Sequence, residues 1–216
     1  MTMRRPRFLV VSLGNQAPYY DCLHSLGHFA LAAALKVLTP SRPEFAPEKY
    51  GRKSCKAAWW AHPYTFLQSP TMMNNCGPWV HAAWKDELKY NTREPRDLAL
   101  VLVHDELEAA FGEVKVRKWE ASPKGHNGVR SVRNSMDPRN YPCDRWRRIT
   151  VGIGRPKERN SAAVSEYVLR KMTSEQLQTI DTKIGPEIVR CLTELRHEWE
   201  QTDRMEERAR RDEVKD

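Results

Sequence analysis

The strongest constraint on the fold is an uninterrupted apolar run, Leu98 to Val103, that leads directly into His104 and Asp105. Such a run has no polar face for solvent, which is typical of a strand buried on both sides of a sheet. A second run, Phe8 to Leu13, ends at Gly14, where we expect a turn. Helices must therefore cover both faces of the sheet.

The rest of the chain alternates between helical and strand-like patterns. These predict one α/β domain of three layers, in which helices flank a mixed, mostly parallel twisted sheet. Residues 1–195 form this domain, and we expect residues 196–216, which are rich in both charges, to form a helical, solvated C-terminal extension. The further predicted strands are Tyr64–Leu67, Val114–Trp119 and Ile149–Ile153; the helices are His24–Leu38, Asn74–Tyr90, Asn127–Met136, Ala162–Lys171 and one from Ser174 onward; Thr39–Lys53 is a predicted loop.

The positive charge is concentrated in one quarter of the sequence. The chain has 36 Lys and Arg against 28 Asp and Glu, a formal net charge of +8. Residues 111–160 contain 13 of the former and 5 of the latter, which is the whole excess. Such a concentrated basic surface attracts polyanions, most commonly nucleic acid, although a solvated basic face is an equally simple interpretation.

The cysteines and the apolar runs bear on the compartment. The five cysteines are odd in number and scattered, with no Cys-x-x-Cys pair, which argues against a disulfide framework or a zinc site and favours a reducing compartment. No apolar run approaches the ~20 residues of a membrane span. The basic opening residues 1–7 resemble a transit peptide only weakly. We expect a monomer in the cytosol or the mitochondrial matrix.

Polar residues follow the predicted strands where a ligand would bind. Asn15 and Asp105 come after two of the buried strands, Asn74 follows the Tyr64–Leu67 strand, and His24 begins the first helix. In open α/β sheets, ligands lie beyond the carboxyl ends of the strands. An imidazole held by a carboxylate accepts a proton from water, and amides donate to an oxyanion. Taken singly, however, a histidine at a helix start is more often structural and an aspartate at a strand end more often a cap.

At these residues the sequence resembles the bacterial-type peptidyl-tRNA hydrolases, which are single-domain α/β enzymes. The resemblance covers Phe8 to Leu195, and its segments occur in the expected order. They are Leu13-Gly14-Asn15, Leu23-His24-Ser25, Met72-Met73-Asn74-Asn75-Cys76-Gly77, Val103-His104-Asp105-Glu106-Leu107, Gly125-His126-Asn127-Gly128-Val129-Arg130-Ser131 and Val151-Gly152-Ile153-Gly154-Arg155-Pro156.

The resemblance implies a catalytic role for three residues. His24 is the expected general base that activates water, and Asp105 is the carboxylate that holds it. Asn15 is expected to read the first amide of the peptide, which separates peptidyl-tRNA from aminoacyl-tRNA. The family needs no metal or organic cofactor, and we expect none here.

The resemblance also implies residues that bind the substrate. Amides are expected to position the scissile region, methionines to wall the groove, a tyrosine to flank the terminal adenosine, and basic residues to contact tRNA phosphates. A one-residue deletion before His24 leaves the choice of tyrosine open. The expected residues are Asn74 and Asn127, Met72 and Met73, Tyr19 or Tyr20, and Lys115, Arg117 and Lys124.

The sequence departs from the family pattern in four places. Ser25 replaces an asparagine, and Thr150 occupies a position where a basic residue is expected, so the phosphate contacts are expected to be built differently. The segment 119–124 replaces a glycine-rich run, and Pro123 is expected to stiffen or reroute it. The tail beyond Arg196 extends past the usual end. None of these changes removes a catalytic group.

Two other functions are alternatives to that of a hydrolase. A non-catalytic RNA-binding protein on the same scaffold, similar to a splicing factor, is the main alternative, but His24, Asp105 and Asn15 are all present. A nucleotide-dependent enzyme is disfavoured because Gly14 is followed by Asn-Gln-Ala-Pro, without the further glycines that allow close approach to a pyrophosphate.

Overall fold

The structure is a computed structural model that describes residues 6–41, 44–59, 63–91, 94–141 and 144–213. Within these ranges one sheet of seven strands runs through the molecule, in the order β2-β3-β4-β1-β5-β7-β6. The strands are β1 (Arg7–Ser12), β2 (Ala46–Tyr50), β3 (Lys53–Trp59), β4 (Tyr64–Gln68), β5 (Leu98–Glu106), β6 (Val114–Lys118) and β7 (Trp146–Gly152).

The predicted mixed sheet is confirmed, but its parallel part is limited to the centre. Strands β4, β1, β5 and β7 are parallel neighbours. The pairs β2–β3, β3–β4 and β6–β7 are antiparallel, so only half of the six pairs are parallel. The antiparallel strands lie towards the edges, where a tight turn is enough to join neighbours.

The prediction of a loop over Thr39–Lys53 was wrong, because this segment contains β2 and the start of β3. Their turn is formed by Gly51 and Arg52, whose φ angles of 55° and 65° are those of a tight hairpin turn. Four of the five β2 residues are exposed, since β2 is an edge strand. It therefore lacks the apolar alternation by which a strand is predicted.

Helices cover both faces of the sheet. The predicted helices are present, with a short 3₁₀ turn (Leu23–Ser25) before the first and a π-helical turn (Ile180–Ile184) before the last. In the described part of the chain, no helix combines the length and apolarity needed to cross a membrane. The helices are α1 (Leu26–Leu38), α2 (Cys76–Asn91), α3 (Asn127–Ser135), α4 (Ser161–Leu169), α5 (Ser174–Thr179) and α6 (Gly185–Glu213).

Two hydrophobic cores lie on opposite sides of the sheet, which confirms the three layers. Because side chains alternate along a strand, Phe8 and Val10 pack against α1 and α6, whereas Leu9 and Val11 pack against α2 and α3. The continuous apolar run in β5 serves both cores in the same way. This explains why β1 and β5 carry no polar face.

Helix α6 crosses the expected boundary between residues 195 and 196 without interruption. Trp199 is only 3% exposed, and its ring stacks on Phe8 with centroids 4.9 Å apart. One turn further on, the buried Asp203 forms an ion pair with Arg145. The first two turns beyond the boundary are thus packed on the domain, and residues 214–216 lie outside the described residues.

We expect Trp199→Ala to lower the free energy of unfolding by about 3–5 kcal/mol, because it removes a buried aromatic ring and leaves a cavity. Urea unfolding measures the change. Met205→Ala, at an exposed position on the same helix, is the matched control and should change stability little. Equal stability of the Trp199→Ala variant and the parent chain would show that α6 does not pack here.

Candidate active site

The parallel centre of the sheet brings the predicted polar residues to one edge. Asn15 lies just beyond β1, Asn74 lies in the turn that follows β4, and Asp105 lies at the carboxyl end of β5. Strand β5 extends three residues past its predicted end, because Asp105 still pairs with Val151 of β7. All three residues line one open cleft of about 590 Å³, so the predicted convergence is observed.

Most of the other predicted site residues line this cleft as well. Tyr20, Lys115 and Arg117 do not. Besides Asn15, Asn74 and Asp105, the predicted residues in the wall are Tyr19, His24, Met72, Met73, Lys124 and Asn127.

The centre of the cleft is a contact between His24 and Asp105. The Nδ1 atom of His24 lies 3.0 Å from both carboxylate oxygens of Asp105. The Asp105 side chain is 3% exposed and that of His24 16%. Because an ionised carboxylate can only accept, Nδ1 carries the proton and Nε2 is the basic nitrogen.

A second histidine, His126, holds the same carboxylate. Its Nε2 lies 3.0 Å from Oδ1 of Asp105, and its Nδ1 accepts a hydrogen bond from the backbone N–H of Val129 at 3.2 Å. His126 is the N-cap residue of α3, so the start of this helix fixes its tautomer. The sequence contains it within Gly-His-Asn-Gly, but we did not predict a site role. Its place beside Asn127, a predicted site residue, was the available signal.

The two imidazoles determine the charge state of the pair. Burial alone would raise the pKa of Asp105, but the nearby charges of His24 and His126 and their hydrogen bonds outweigh it and hold the pKa well below its ordinary value of 3.8. Burial would lower the pKa of His24, whereas the charge and hydrogen bond of Asp105 raise it above 6.5. Asp105 is therefore a carboxylate and His24 a strengthened base.

A third histidine supports Asp105 from its backbone. Nδ1 of the buried His104 donates to the Asp105 carbonyl at 2.7 Å, and its ring packs edge-on against His126 with centroids 4.6 Å apart. Burial first, then the electrostatic effects of the nearby His126 and Arg148, hold the pKa of His104 well below 6.5. His104 is thus a neutral packing partner.

His24, Asp105 and His126 also offer ligand atoms within 4.8 Å of one another, as a metal site would. To bind a metal through the nitrogen that faces Asp105, His126 must move its proton to Nδ1. That atom already accepts the Val129 N–H, so the two protons would collide. The donor set fits a proton-transfer network better than a metal ion.

Ser25 ties the loop after β1 to the 3₁₀ turn that carries His24. Its Oγ accepts a hydrogen bond from the Asn15 backbone N–H at 2.9 Å and donates to the Tyr19 carbonyl at 2.8 Å. The Asn15 side-chain oxygen accepts from the Met73 N–H at 2.9 Å. The orientation of the Asn15 amide is therefore fixed, with Nδ2 as its donor end.

The methionine wall depends on close approach of the backbone at Gly128. A β-carbon there would lie 2.3 Å from the sulfur of Met73, which is buried, while Met72 is exposed along the cleft. Any larger residue at position 128 would displace Met73. The glycine thus shapes the wall of the cleft that Asn74 and Asn127 also line.

The structure separates the two candidate tyrosines. Tyr19 is exposed and lines the cleft. The Tyr20 hydroxyl instead donates to Gln68 Oε1 at 3.0 Å, and its ring stacks on the buried His28 with centroids 5.6 Å apart. Tyr20 therefore supports the fold behind the cleft.

The basic residues lie at and beyond the cleft mouth. Lys124 lines the cleft with Nζ 3.5 Å from Glu106 Oε2, and its φ of 46° is the left-handed conformation that glycine adopts more easily. It thus keeps a glycine-like backbone where the sequence departs from the family pattern. Lys115 and Arg117 lie outside on the edge strand β6, and Lys115 pairs with Glu113.

Fold and site together define a three-layer α/β protein with a histidine–carboxylate pair beyond the carboxyl ends of its parallel strands. The family model of peptidyl-tRNA hydrolase matches residues 9–215. The chain therefore belongs to the peptidyl-tRNA hydrolase family.

Individual relatives agree with this assignment. A peptidyl-tRNA hydrolase of Saccharomyces cerevisiae is 30% identical over 192 residues, which cover 87% of this chain and 96% of that protein. One of Delftia acidovorans is 33% identical over 182 residues, covering 82% and 78%. A crystal structure of a peptidyl-tRNA hydrolase with N-propanol has a TM-score of 0.65 at 21% identity, covering 94% of each chain, and this similarity concerns the fold.

We expect Asp105→Asn to lower the free energy of unfolding by an amount that is largest at intermediate pH and smaller on either side. Because the pKa of His24 is raised on folding, its protonated form contributes stability below pH 6.5, and this contribution is lost as the pH rises. Because the pKa of Asp105 is lowered on folding, its ionised form contributes stability above pH 3.8, and this contribution is lost as the pH falls. The deficit should therefore be largest between about pH 4 and 6.5.

Urea unfolding from pH 3 to 8 measures this deficit against the parent chain. The control is Asp137→Asn, at a carboxylate near the surface that pairs with Arg139 and should contribute little. A deficit that stays constant across this range would contradict the coupling of His24 and Asp105.

Proposed function

We propose that this protein hydrolyses the ester bond between the peptide and the 3′ end of tRNA in peptidyl-tRNA, releasing free tRNA and peptide. The observation that carries the proposal is the contact of His24 with Asp105 in an open cleft, within a chain that belongs to this family of enzymes. Hydrolysis of an activated ester needs a base, oxyanion donors and orientation, and the cleft offers all three.

In the proposed reaction, Nε2 of His24 takes a proton from a water molecule as the water oxygen attacks the ester carbonyl. Asp105 keeps the imidazole in the required tautomer and stabilises the imidazolium that forms. The amides of Asn74 and Asn127 are the side chains suited to donate to the developing oxyanion. The imidazolium then returns the proton to the departing ribose oxygen, which leaves a free hydroxyl on the tRNA.

Asn15 is suited to recognise the peptide. Its Oδ1 is already engaged by the Met73 N–H, so Nδ2 is left to donate to a peptide carbonyl. A free aminoacyl group lacks that carbonyl and carries a charged amine instead. A site built around a fixed donor discriminates strongly against a ligand that leaves the donor unpaired.

The tRNA itself is proposed to lie along the basic side of the cleft. Tyr19 is the tyrosine placed to flank the terminal adenosine, and Lys124, Lys115 and Arg117 are proposed to contact backbone phosphates. Such contacts fix position without reading sequence, which suits an enzyme that serves many tRNAs. We also propose that the protein acts as a monomer in the cytosol or the mitochondrial matrix.

The alternative of a non-catalytic RNA-binding protein is not favoured. A binder has no use for a buried carboxylate shared between two imidazoles, which is costly unless each partner is retained. The intact arrangement of His24, Asp105 and His126 is therefore better explained by catalysis.

We expect His24→Ala to reduce kcat for N-acetyl-aminoacyl-tRNA by about 10²-fold or more, because the general base is lost, while tRNA binding stays nearly unchanged. Single-turnover hydrolysis and filter binding measure the two effects. His197→Ala, at an exposed histidine on α6, is the control. Parent-like turnover of the His24→Ala variant would rule out the assigned base.

We expect Lys115→Ala combined with Arg117→Ala to raise KM. It should also make the salt dependence of tRNA binding shallower by about one to two units of slope, because binding with fewer phosphate contacts releases fewer counterions. The control is Lys36→Ala combined with Lys183→Ala, which removes the same charge on the α1 side of the molecule. An unchanged slope would place the tRNA elsewhere.

A further inference from the structure

A second cavity of about 230 Å³ adjoins the catalytic cleft. Its volume is several times the ~30 Å³ that one water molecule occupies in the liquid. Pro123 lines both cavities, which places them next to each other. We call this second cavity the arginine pocket; its lining residues are Trp119, Pro123, Arg130, Arg133, Asn134 and Pro138.

The arginine pocket has positive charge that is not neutralised locally. Arg130 and Arg133 lie one turn apart on α3, and neither forms an ion pair with an acidic residue in the described part of the chain. The Arg133 guanidinium makes one long hydrogen bond, Nη1 to the Ala121 carbonyl at 3.4 Å. Both side chains are therefore available to a ligand.

A third arginine lies behind the same loop. Arg148 is 2% exposed, and its guanidinium donates to the Ala121 carbonyl that Arg133 also contacts. Its Nε has no hydrogen-bond partner in the described residues. Across the β6–β7 pair its neighbour is Arg117. Burial first, then the charge of Arg133, lowers the Arg148 pKa, as expected for guanidinium groups held close together.

The acidic residues nearby do not cancel this charge. Glu106 and Glu120 both favour the charged form of Arg148, but Glu106 is already engaged by Lys124. Asp137, beside the pocket, is bound to Arg139. Arg130, Arg133 and Arg148 thus outnumber the exposed Glu120, and such a local excess of positive charge attracts an anion.

We propose that the arginine pocket binds a backbone phosphate of the RNA strand whose 3′ end occupies the catalytic cleft. This inference rests on the proposed function and extends it. Guanidinium groups match phosphate oxygens with two parallel hydrogen bonds, and Arg130 and Arg133 present two such groups on one helical face. A strand that leaves His24 passes over Pro123 into the pocket. The lining of the pocket does not include Lys115 or Arg117, the predicted phosphate contacts on β6.

The test uses Arg130→Gln and Arg133→Gln as single variants, because both side chains are accessible, whereas Arg148 holds the loop from inside. The matched control is Arg139→Gln, which removes one charge from the same surface but from an arginine bound to Asp137. Two substrates are compared: full-length N-acetyl-aminoacyl-tRNA, and N-acetyl-aminoacyl-adenosine, which has no phosphate.

For the tRNA substrate, each pocket variant is expected to lower kcat/KM about 10-fold, mainly through KM, and to reduce the salt slope by about one unit. The adenosine ester should lose less than about 2-fold, because it cannot reach the pocket. A parent-like KM for tRNA, an equal loss with Arg139→Gln, or an equal loss on both substrates would overturn the proposal.

Binding of uncharged tRNA, followed by fluorescence anisotropy, separates this inference from the proposed function. Weaker tRNA binding in the pocket variants, but not in the Arg139→Gln control, supports the phosphate site whether or not the esters are hydrolysed. Failure of the parent chain to hydrolyse either ester would instead refute the hydrolase assignment. Unchanged tRNA affinity would overturn the phosphate site while leaving hydrolysis intact. Binding of inorganic phosphate without any effect on tRNA would do the same.

Discussion

The structure depends on the compensation of one buried negative charge. Asp105 is almost fully removed from solvent, and an isolated carboxylate in such a place would take up a proton. It stays ionised because two imidazoles donate to it, His24 from the 3₁₀ turn before α1 and His126 from the N-terminus of α3. The strand and both helices must therefore meet at one point, and their meeting defines the cleft.

The shared carboxylate also explains why the two histidines are not equivalent. Val129 engages Nδ1 of His126, so this imidazole is fixed as a donor and has no lone pair to offer. His24 donates through Nδ1 and keeps Nε2 unprotonated. One imidazole thus orients the carboxylate, and the other is oriented by it. The buried His104 packs against His126 and does not compete with it for the hydrogen bond to the Asp105 carboxylate.

The sequence was sufficient to predict the three layers from strong apolar patterns, whereas most residues of the cleft were expected only from the family resemblance. The apolar run of β5 requires cover on both faces, and parallel strands bring Asn15, Asn74 and Asp105 to the same edge. The β2–β3 hairpin could not be predicted, since an edge strand is exposed and has no apolar alternation. The role of His126 depends on a contact between residues 21 positions apart, which no local pattern encodes.

Positive charge, which in the sequence indicated either a polyanion partner or a solvated basic face, has at least two uses in the structure. Arg148 is buried in β7 and holds the segment around Ala121 by its carbonyl groups, which replaces the flexible glycines of the family pattern with a pinned loop. Arg130 and Arg133, by contrast, lie on α3 and form no ion pair within the described residues. Counting charges in the sequence could not separate these uses, because burial is decided by the pairing of β6 with β7.

Ser25 has a consequence for the length of the loop that precedes it in this chain. Its hydroxyl joins the Asn15 N–H to the Tyr19 carbonyl and so closes the loop upon itself just before the turn that carries His24. The ends of the loop are thereby held by one side chain rather than by the course of the chain between them. Insertions and deletions inside the loop are thus mechanically decoupled from His24, and a shortened loop can coexist with an undisturbed contact between His24 and Asp105.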